Sequence, residues 1–419
     1  MLGNKSTKIY ILILVALVSF SVFYYTYSVE NFGLDNTKKD EIKYTSFKDI
    51  SLKEHIESGH IEVSLNPEKD KKIKLAAVGD IMAHMPQVRS ANQLSSNEEE
   101  YDFYPHFESI SHHIDSADLA FCNLETTLGG KDKGYSGFPL FNAPSSLAKA
   151  INQTGFDIVS TANNHSMDTG KDGLLRTLEK LEEQNLTPLG THESKESRDK
   201  PPIIEKNDLK LGFAGYTYGT NGIPTPKGQD YLVNRIDKDL MERDIENLKE
   251  RNADIIIISL HWGLEYERQP SKEQQELGQK LIKMGADIVL GHHPHVLQPA
   301  EIKKVTDQDG NKKSGLVVYS LGNFISNQRQ RYRDSGVILM IELVYSTNEN
   351  SLAIKSLDPI PTWVDKYYQN EVLKYRIIDV KKKLDYNKFR TIEKKERLNQ
   401  IIPETLEKIP AKSEKNRLR

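Results

Sequence analysis

Six short apolar runs, each closed at its C-terminal end by polar or metal-ligand side chains, constrain this chain more than any other feature. Residues 73–78 (IKLAAV) lead into Gly79-Asp80, and 118–122 (DLAFC) into Asn123-Leu124-Glu125. Residues 157–162 lead into Asn163-Asn164-His165, and 254–260 into His261-Trp262-Gly263. Residues 286–290 lead into Gly291-His292-His293-Pro294-His295, and 315–321 into Gly322-Asn323-Phe324. Runs of this length bounded by turn residues read as buried strands. Between them, residues 145–154, 173–184, 237–251 and 272–284 repeat apolar side chains every three or four positions, which predicts helices. A further strand, 210–218, lacks such an ending, and the Gly- and Pro-rich loop 219–228 is expected near the rim. Alternation of this kind predicts an α/β domain. Ligands of open α/β sheets bind beyond the C-terminal ends of the strands, so the six endings are expected to converge on one edge as a site.

The bulk properties narrow the field. A chain of 419 residues, 37 % hydrophobic, can bury a large core. A net charge of −3 offers no basic excess for nucleic acid. The single cysteine, Cys122, excludes an intramolecular disulfide and a thiolate metal cluster, and its apolar run marks it as a core residue.

Residues 9–27 (IYILILVALVSFSVFYYTY) carry no charge. As a helix rising about 1.5 Å per residue they span roughly 28 Å, the thickness of a membrane's hydrocarbon. Lys5 and Lys8 precede the run and Glu30 and Asp35 follow it. Residues 1–8 are therefore expected in the cytoplasm and the rest of the chain outside it. Phe23, Tyr24, Tyr25 and Tyr27 leave no small-x-small cleavage site, which favours a retained anchor over a signal peptide. Residues 28–72 read as a polar stalk, with a short helix near 51–58. The compact domain is expected over 73–345, an edge or extension over 346–380 and a basic tail over 381–419. That tail holds 13 Lys or Arg against 6 Asp or Glu, and is expected to be a solvated, partly helical extension or to attract anionic polymer in a salt-sensitive way.

The strand endings offer oxygen and nitrogen donors without sulfur, a mixture suited to manganese, zinc or iron rather than to an all-oxygen calcium cage. Two such ions about 3.5–4 Å apart activate water and steady both oxygens of an in-line displacement. Each ending has a plainer reading as well. Asn164 could cap its turn, and His261-Trp262 could be a core pair. Three histidines in GHHPH at one strand end are harder to explain without a metal.

Taken in order, VGDIM at 78–82, NLE at 123–125, ANNHSMDTG at 162–170, HWGLEYERQPS at 261–271, GADIVLGHHPHVLQP at 285–299 and YSLGNF at 319–324 form a set. Over residues 74–343 it resembles the CapA/PgsA family of poly-γ-glutamate (capsule) synthesis proteins. That resemblance implies a metallophosphoesterase-like (calcineurin-like) αββα sandwich. It also implies a membrane-anchored accessory role in synthesis, export or attachment of the polymer, beside a membrane-bound ligase. Site residues follow from the same resemblance. Asp80 matches the first metal-ligand aspartate, Glu125 a bridging carboxylate, Asn164 the amide ligand and His165 the catalytic histidine at the leaving group. His261 matches the middle histidine ligand, and His293 and His295 the closing pair, with His292 as the substitute. The pattern also departs from active phosphoesterases. Met82 stands where Asp-x-His has its histidine, Asn163 replaces a glycine, and NLE replaces the usual aspartate motif. His84 lies outside the matched pattern. Beside the accessory role stands the alternative of an active metal-dependent hydrolase acting on a surface polymer or its precursor.

Overall fold

The computed structural model describes residues 70–95, 100–307, 310–382, 391–412 and 416–418. The apolar run 9–27, its flank 1–8, the stalk up to residue 69 and the short helix expected near 51–58 lie outside the described residues. Among the described residues no helix is long and apolar enough to cross a membrane.

Four parallel strands start the first sheet: β1 (Lys71–Ile81), β2 (Leu119–Leu124), β3 (Ile158–Ser160) and β4 (Thr187–Leu189). The second sheet opens with β5 (Ile203–Lys206), antiparallel to β6 (Leu209–Thr217). It continues in parallel through β7 (Ile255–His261), β8 (Ile288–His292) and β10 (Lys312–Val318), with β9 (Ala300–Thr306) antiparallel at the far edge. The chain then returns to the first sheet. Short β11 (Asn323–Ile325) lies beside the end of β1, and β12 (Ser335–Ser346), β13 (Ser351–Gln369) and β14 (Val372–Asp379) extend it in antiparallel fashion.

Side chains alternate faces along a strand, and that period sets the layers. In β1, Leu75 and Ala77 enter a core between the two sheets, where Phe121, Ile158, Phe213, Ile257, Ile288, Leu316 and Leu339 meet them. Ala76 and Val78 point the other way, onto Val88 and Ala91 of the helix Met85–Leu94 and Leu147 and Ile151 of the helix Ser146–Gln153. In β7, Ile256 and Ile258 pack outward against Met241 and Ile245 of the helix Lys238–Glu250 and Leu281 and Ile282 of the helix Lys272–Met284. The result is an α/β/β/α sandwich, the layering the resemblance implies. Helices stand where the periodicity places them, at Ser146–Gln153, Gly170–Glu182, Lys238–Glu250 and Lys272–Met284. Cys122 is fully buried in the core beneath β2.

Two differences from the sequence expectation matter. The polar strand endings come from two sheets rather than from one open edge, because β1, β2 and β3 face β7 and β8 across the central core. Past residue 345 the chain adds β13 and β14, and the compact unit runs over Glu68–Arg419. The stretch expected as a basic tail includes a helix, Ile392–Lys408, whose Leu398 and Ile401 pack on Trp363, Ile378 and Val380. Its cations are engaged as well: Arg397 Nη2 donates to Asp334 at 2.8 Å, and Lys394 Nζ to Asp365 at 2.6 Å.

Candidate metal centre

Backbone geometry delivers the donors. A Cβ on Gly79 would lie 1.8 Å from the Gly322 carbonyl oxygen, so only glycine lets β1 approach that loop. The Asp80 N–H then donates to Gly322 O at 2.9 Å, and the strand register shifts at this point, which turns Asp80 into the site. The Glu125 N–H donates to Ile81 O at 2.9 Å, locking the end of β2 to the end of β1. After β3, Ser166 Oγ accepts from the Asn163 N–H at 2.9 Å and donates to Thr161 O at 2.7 Å, closing the turn that presents Asn164 and His165. His261 is the last residue of β7. Past β8, His293 at φ 95° and His295 at φ 59° occupy the left-handed region, a cost that bulky residues bear chiefly at functional sites.

The donors converge. One ligand atom each from Glu125, His261 and His293 lie within 4.8 Å of one another, and so do those of Asp80, Glu125 and His295. Asp80 Oδ2 is 3.0 Å from His295 Nδ1, and its Oδ1 accepts from the Asn123 amide at 2.8 Å. Asn164 Oδ1 lies 3.0 Å from His261 Nε2. Beside this cluster His165 Nδ1 is 2.7 Å from Asp168 Oδ2, which also accepts from the Phe141 N–H at 2.6 Å. The Phe141 ring meets His165 edge-on at 4.7 Å, and the Tyr218 ring lies 4.7 Å from His293.

Burial dominates the electrostatics. It pushes the Glu125 carboxyl well up, and the nearby charges of Asp80, Glu265 and Asp168 push the same way. Burial also drives His261 well down, and takes His293 to about 4 with help from His295. For Asp80 the upward push of burial is overcome by the imidazoles of His292 and His295, which hold it below the usual carboxylate range. Both oxygens of Glu125 are buried without a hydrogen-bond partner, as is Nδ1 of His293.

Asp80, Glu125, His261, His293 and His295 thus share one cluster, with Asn164 at its edge and His165 beside it. His292 stands apart. Its Nδ1 is 3.4 Å from Asp80 Oδ1 and its ring leans on Phe121, behind the cluster. The sixth strand ending does not reach the donors: the Asn323 amide donates to Gln328 Oε1 and Arg333 O and ties down a loop. Sequence reasoning passed over three residues. Asp168 orients His165 from three positions on. Glu265, in the HWGLEYERQPS stretch, falls within 4.8 Å of His293 and His295. His84 has its ring 5.1 Å from Phe141 and a pKa lowered to about 4 by burial and then by His295 and His165, which places it at the margin of the cluster.

The donor set fits divalent metal. Nitrogen and oxygen donors within 4.8 Å of one another lie close enough to share an ion after small adjustments. A buried carboxyl group whose oxygens lack hydrogen-bond partners is costly, and a cation among these donors would compensate it.

An α/β/β/α sandwich with a cluster of oxygen and nitrogen donors at its strand ends defines a two-sheet α/β protein with a candidate metal centre. The chain belongs to the bacterial capsule synthesis protein family PGA_cap, which matches residues 74–328. It is 28 % identical to the capsule biosynthesis protein CapA of Bacillus anthracis over 305 residues, covering 70 % of this chain and 68 % of that one. It is 32 % identical to the PGA biosynthesis protein CapA of Bacillus subtilis over 197 residues, 45 % of this chain and 48 % of that one, so it spans about half of this second relative. Among solved structures it is similar to NAD nucleotidase (NadN) of Haemophilus influenzae, with TM-score 0.46, 13 % identity and coverage of 83 % of this chain and 58 % of that one. It is also similar to the calcineurin-like phosphoesterase YfkN of Bacillus subtilis, with TM-score 0.40, 14 % identity and coverage of 81 % and 99 %.

Proposed function

We propose that this chain is a membrane-anchored accessory protein of poly-γ-glutamate capsule production, whose sandwich domain works outside the cytoplasmic membrane as a divalent-metal centre. One observation carries the metal centre: Glu125, buried with both oxygens unpartnered, stands between the donor groups of Asp80 and His295 and of His261 and His293. Asp80, Glu125 and His295 would hold one ion, and Glu125, Asn164, His261 and His293 a second. Manganese, zinc and iron all suit such donors. Bound there, the ions would supply Lewis acidity and an activated water. Family membership supports the capsule role. The charge-free run 9–27 behind Lys5 and Lys8 supports the anchor and the outward placement. The partners in this reading are membrane-bound ligase or export subunits and the anionic polymer itself.

A second reading, an active hydrolase of the polymer, its precursor or a phosphoester, is favoured by His165. Asp168 holds its Nδ1, which leaves Nε2 to give a proton to a departing oxygen. The test of the main reading is made in a polymer-producing cell whose own copy is replaced by the His293→Ala variant. Surface poly-γ-glutamate is expected to fall, whereas an unchanged amount would exclude a role for the metal centre. A panel of phosphoester and γ-glutamyl amide substrates then separates the readings, since only the second predicts turnover that His165→Ala abolishes.

A further inference from the structure

The loop between β7 and the helix Lys272–Met284 is built to hold one acidic side chain against the histidine pair. Gly263 turns at φ 83° and Tyr266 at φ 68°. A tyrosine takes that conformation only where its surroundings impose it. Here they do. The Tyr266 N–H donates at 2.8 Å to the carbonyl of Pro294, the residue between His293 and His295. The Gln298 amide donates to Glu267 O at 2.8 Å and to Gln269 O at 3.1 Å. The Arg333 guanidinium covers the Tyr266 ring at 3.2 Å from its centroid, and Asn323 fixes the Arg333 carbonyl at 2.8 Å. What this scaffold positions is Glu265, with a carboxylate oxygen and one ring nitrogen each of His293 and His295 within 4.8 Å of one another.

Glu265 is exposed while both histidines are buried, so it approaches the cluster from the solvent side. His293 Nδ1 has no hydrogen-bond partner. Asp80, Glu125 and Glu265 all bear on this cluster, yet among the described residues the ion pairs of Asp80 and Glu125 are to histidines, and no lysine or arginine pairs with any of the three. The cluster has an unassigned carboxylate at its mouth. A solvated rim acid is the plainer reading, but it leaves unexplained why a strained, five-point scaffold holds this residue against two buried nitrogens.

We propose that Glu265 is a metal ligand, closing the centre from the solvent side together with His293 and His295. This rests on the metal-centre reading above.

The test strips the full-length chain with chelator and titrates it with Mn²⁺, followed by electron paramagnetic resonance of the free ion. Glu265→Gln is expected to weaken Mn²⁺ binding about tenfold or more, a loss typical of disturbed ligation. Glu265→Asp, which keeps the carboxylate, should fall between the two. Because the side chain is exposed, both variants should melt with the apo wild type. Should either melt early, the visible spectrum of the Co²⁺-loaded wild type against Glu265→Gln decides, since loss of a ligand shifts its bands. Equal Mn²⁺ affinity of wild type and Glu265→Gln, or identical Co²⁺ spectra, would overturn the assignment while leaving the metal centre standing. A wild type that binds none of Mn²⁺, Co²⁺, Zn²⁺ or Fe²⁺ removes the metal centre itself, and this ligand with it.

Discussion

Glu125 Oε1 lies 3.5 Å from His261 Nε2 and 3.7 Å from His295 Nε2, so one carboxylate from the first sheet meets imidazoles from the second in a wholly buried space. Without an ion this is a destabilising arrangement. Glu125→Gln is therefore expected to leave the metal-free protein at least as stable as wild type. The same change should erase the rise in melting temperature that metal gives the wild type, because an ion stabilises only the state that binds it. Thermal melts with chelator and with Mn²⁺ check both halves. A metal-free variant less stable than wild type would count against the strained-carboxylate account.

Gly79 lets β1 and the Gly322 loop touch. Gly79→Ala puts a Cβ 1.8 Å from a carbonyl oxygen, and the strand must shift at Asp80. The expected cost is about 1–3 kcal/mol, with lowered metal occupancy although no ligand is removed. Gly219→Ala, where nothing lies within 4 Å of the new atom, should change neither. Denaturant unfolding and metal analysis of the two variants make the comparison.

Much of this was legible because strand endings are local signals: a buried run followed by Asp80, Glu125, Asn164 or His261 announces itself in a few residues. The helices were equally local, and their apolar spacing placed all four. Strands β13 and β14 fall in the stretch expected as a domain edge or extension and were not read as strands. Their pairing is antiparallel and partly exposed, and turns at Asn350 (φ 45°) and Asn370 (φ 51°) carry a weaker signal than glycine does. A partly helical tail was expected, but the docking of the helix Ile392–Lys408 was hidden by its charge, since its core contacts through Leu398 and Ile401 are few beside its lysines. Glu265 escaped for a different reason. Its nearness to His293 and His295 depends on a hydrogen bond from Tyr266 to Pro294, a long-range contact that no local pattern encodes.

His106 offers a pH test remote from the ligand cluster. It is buried against Phe103 and Tyr375, with Nε2 3.2 Å from Ser90 Oγ, and burial lowers its pKa from 6.5 to about 3. The unfolded chain therefore binds a proton between pH 6.5 and 3 that the folded chain refuses. Its contribution is fully present above pH 6.5 and is lost as pH falls, by roughly 4 kcal/mol at the foot of the window. His106→Gln should flatten the fall of stability between pH 6.5 and 4 by close to one proton's slope. An unchanged slope would mean that His106 is protonated in the fold.

The proposed orientation rests on Lys5 and Lys8 before the apolar run. Protease added to intact protoplasts is expected to digest the sandwich domain, and detergent should make no further difference. A domain protected until detergent is added would place it inside.

The most direct test of the central claim is the metal content of the purified full-length chain. About one to two divalent ions per chain are expected, falling steeply in Asp80→Ala and in His293→Ala, since each removes a donor of the shared cluster. A wild-type chain without bound metal after exposure to manganese, zinc and iron, or an occupancy indifferent to both substitutions, would contradict it.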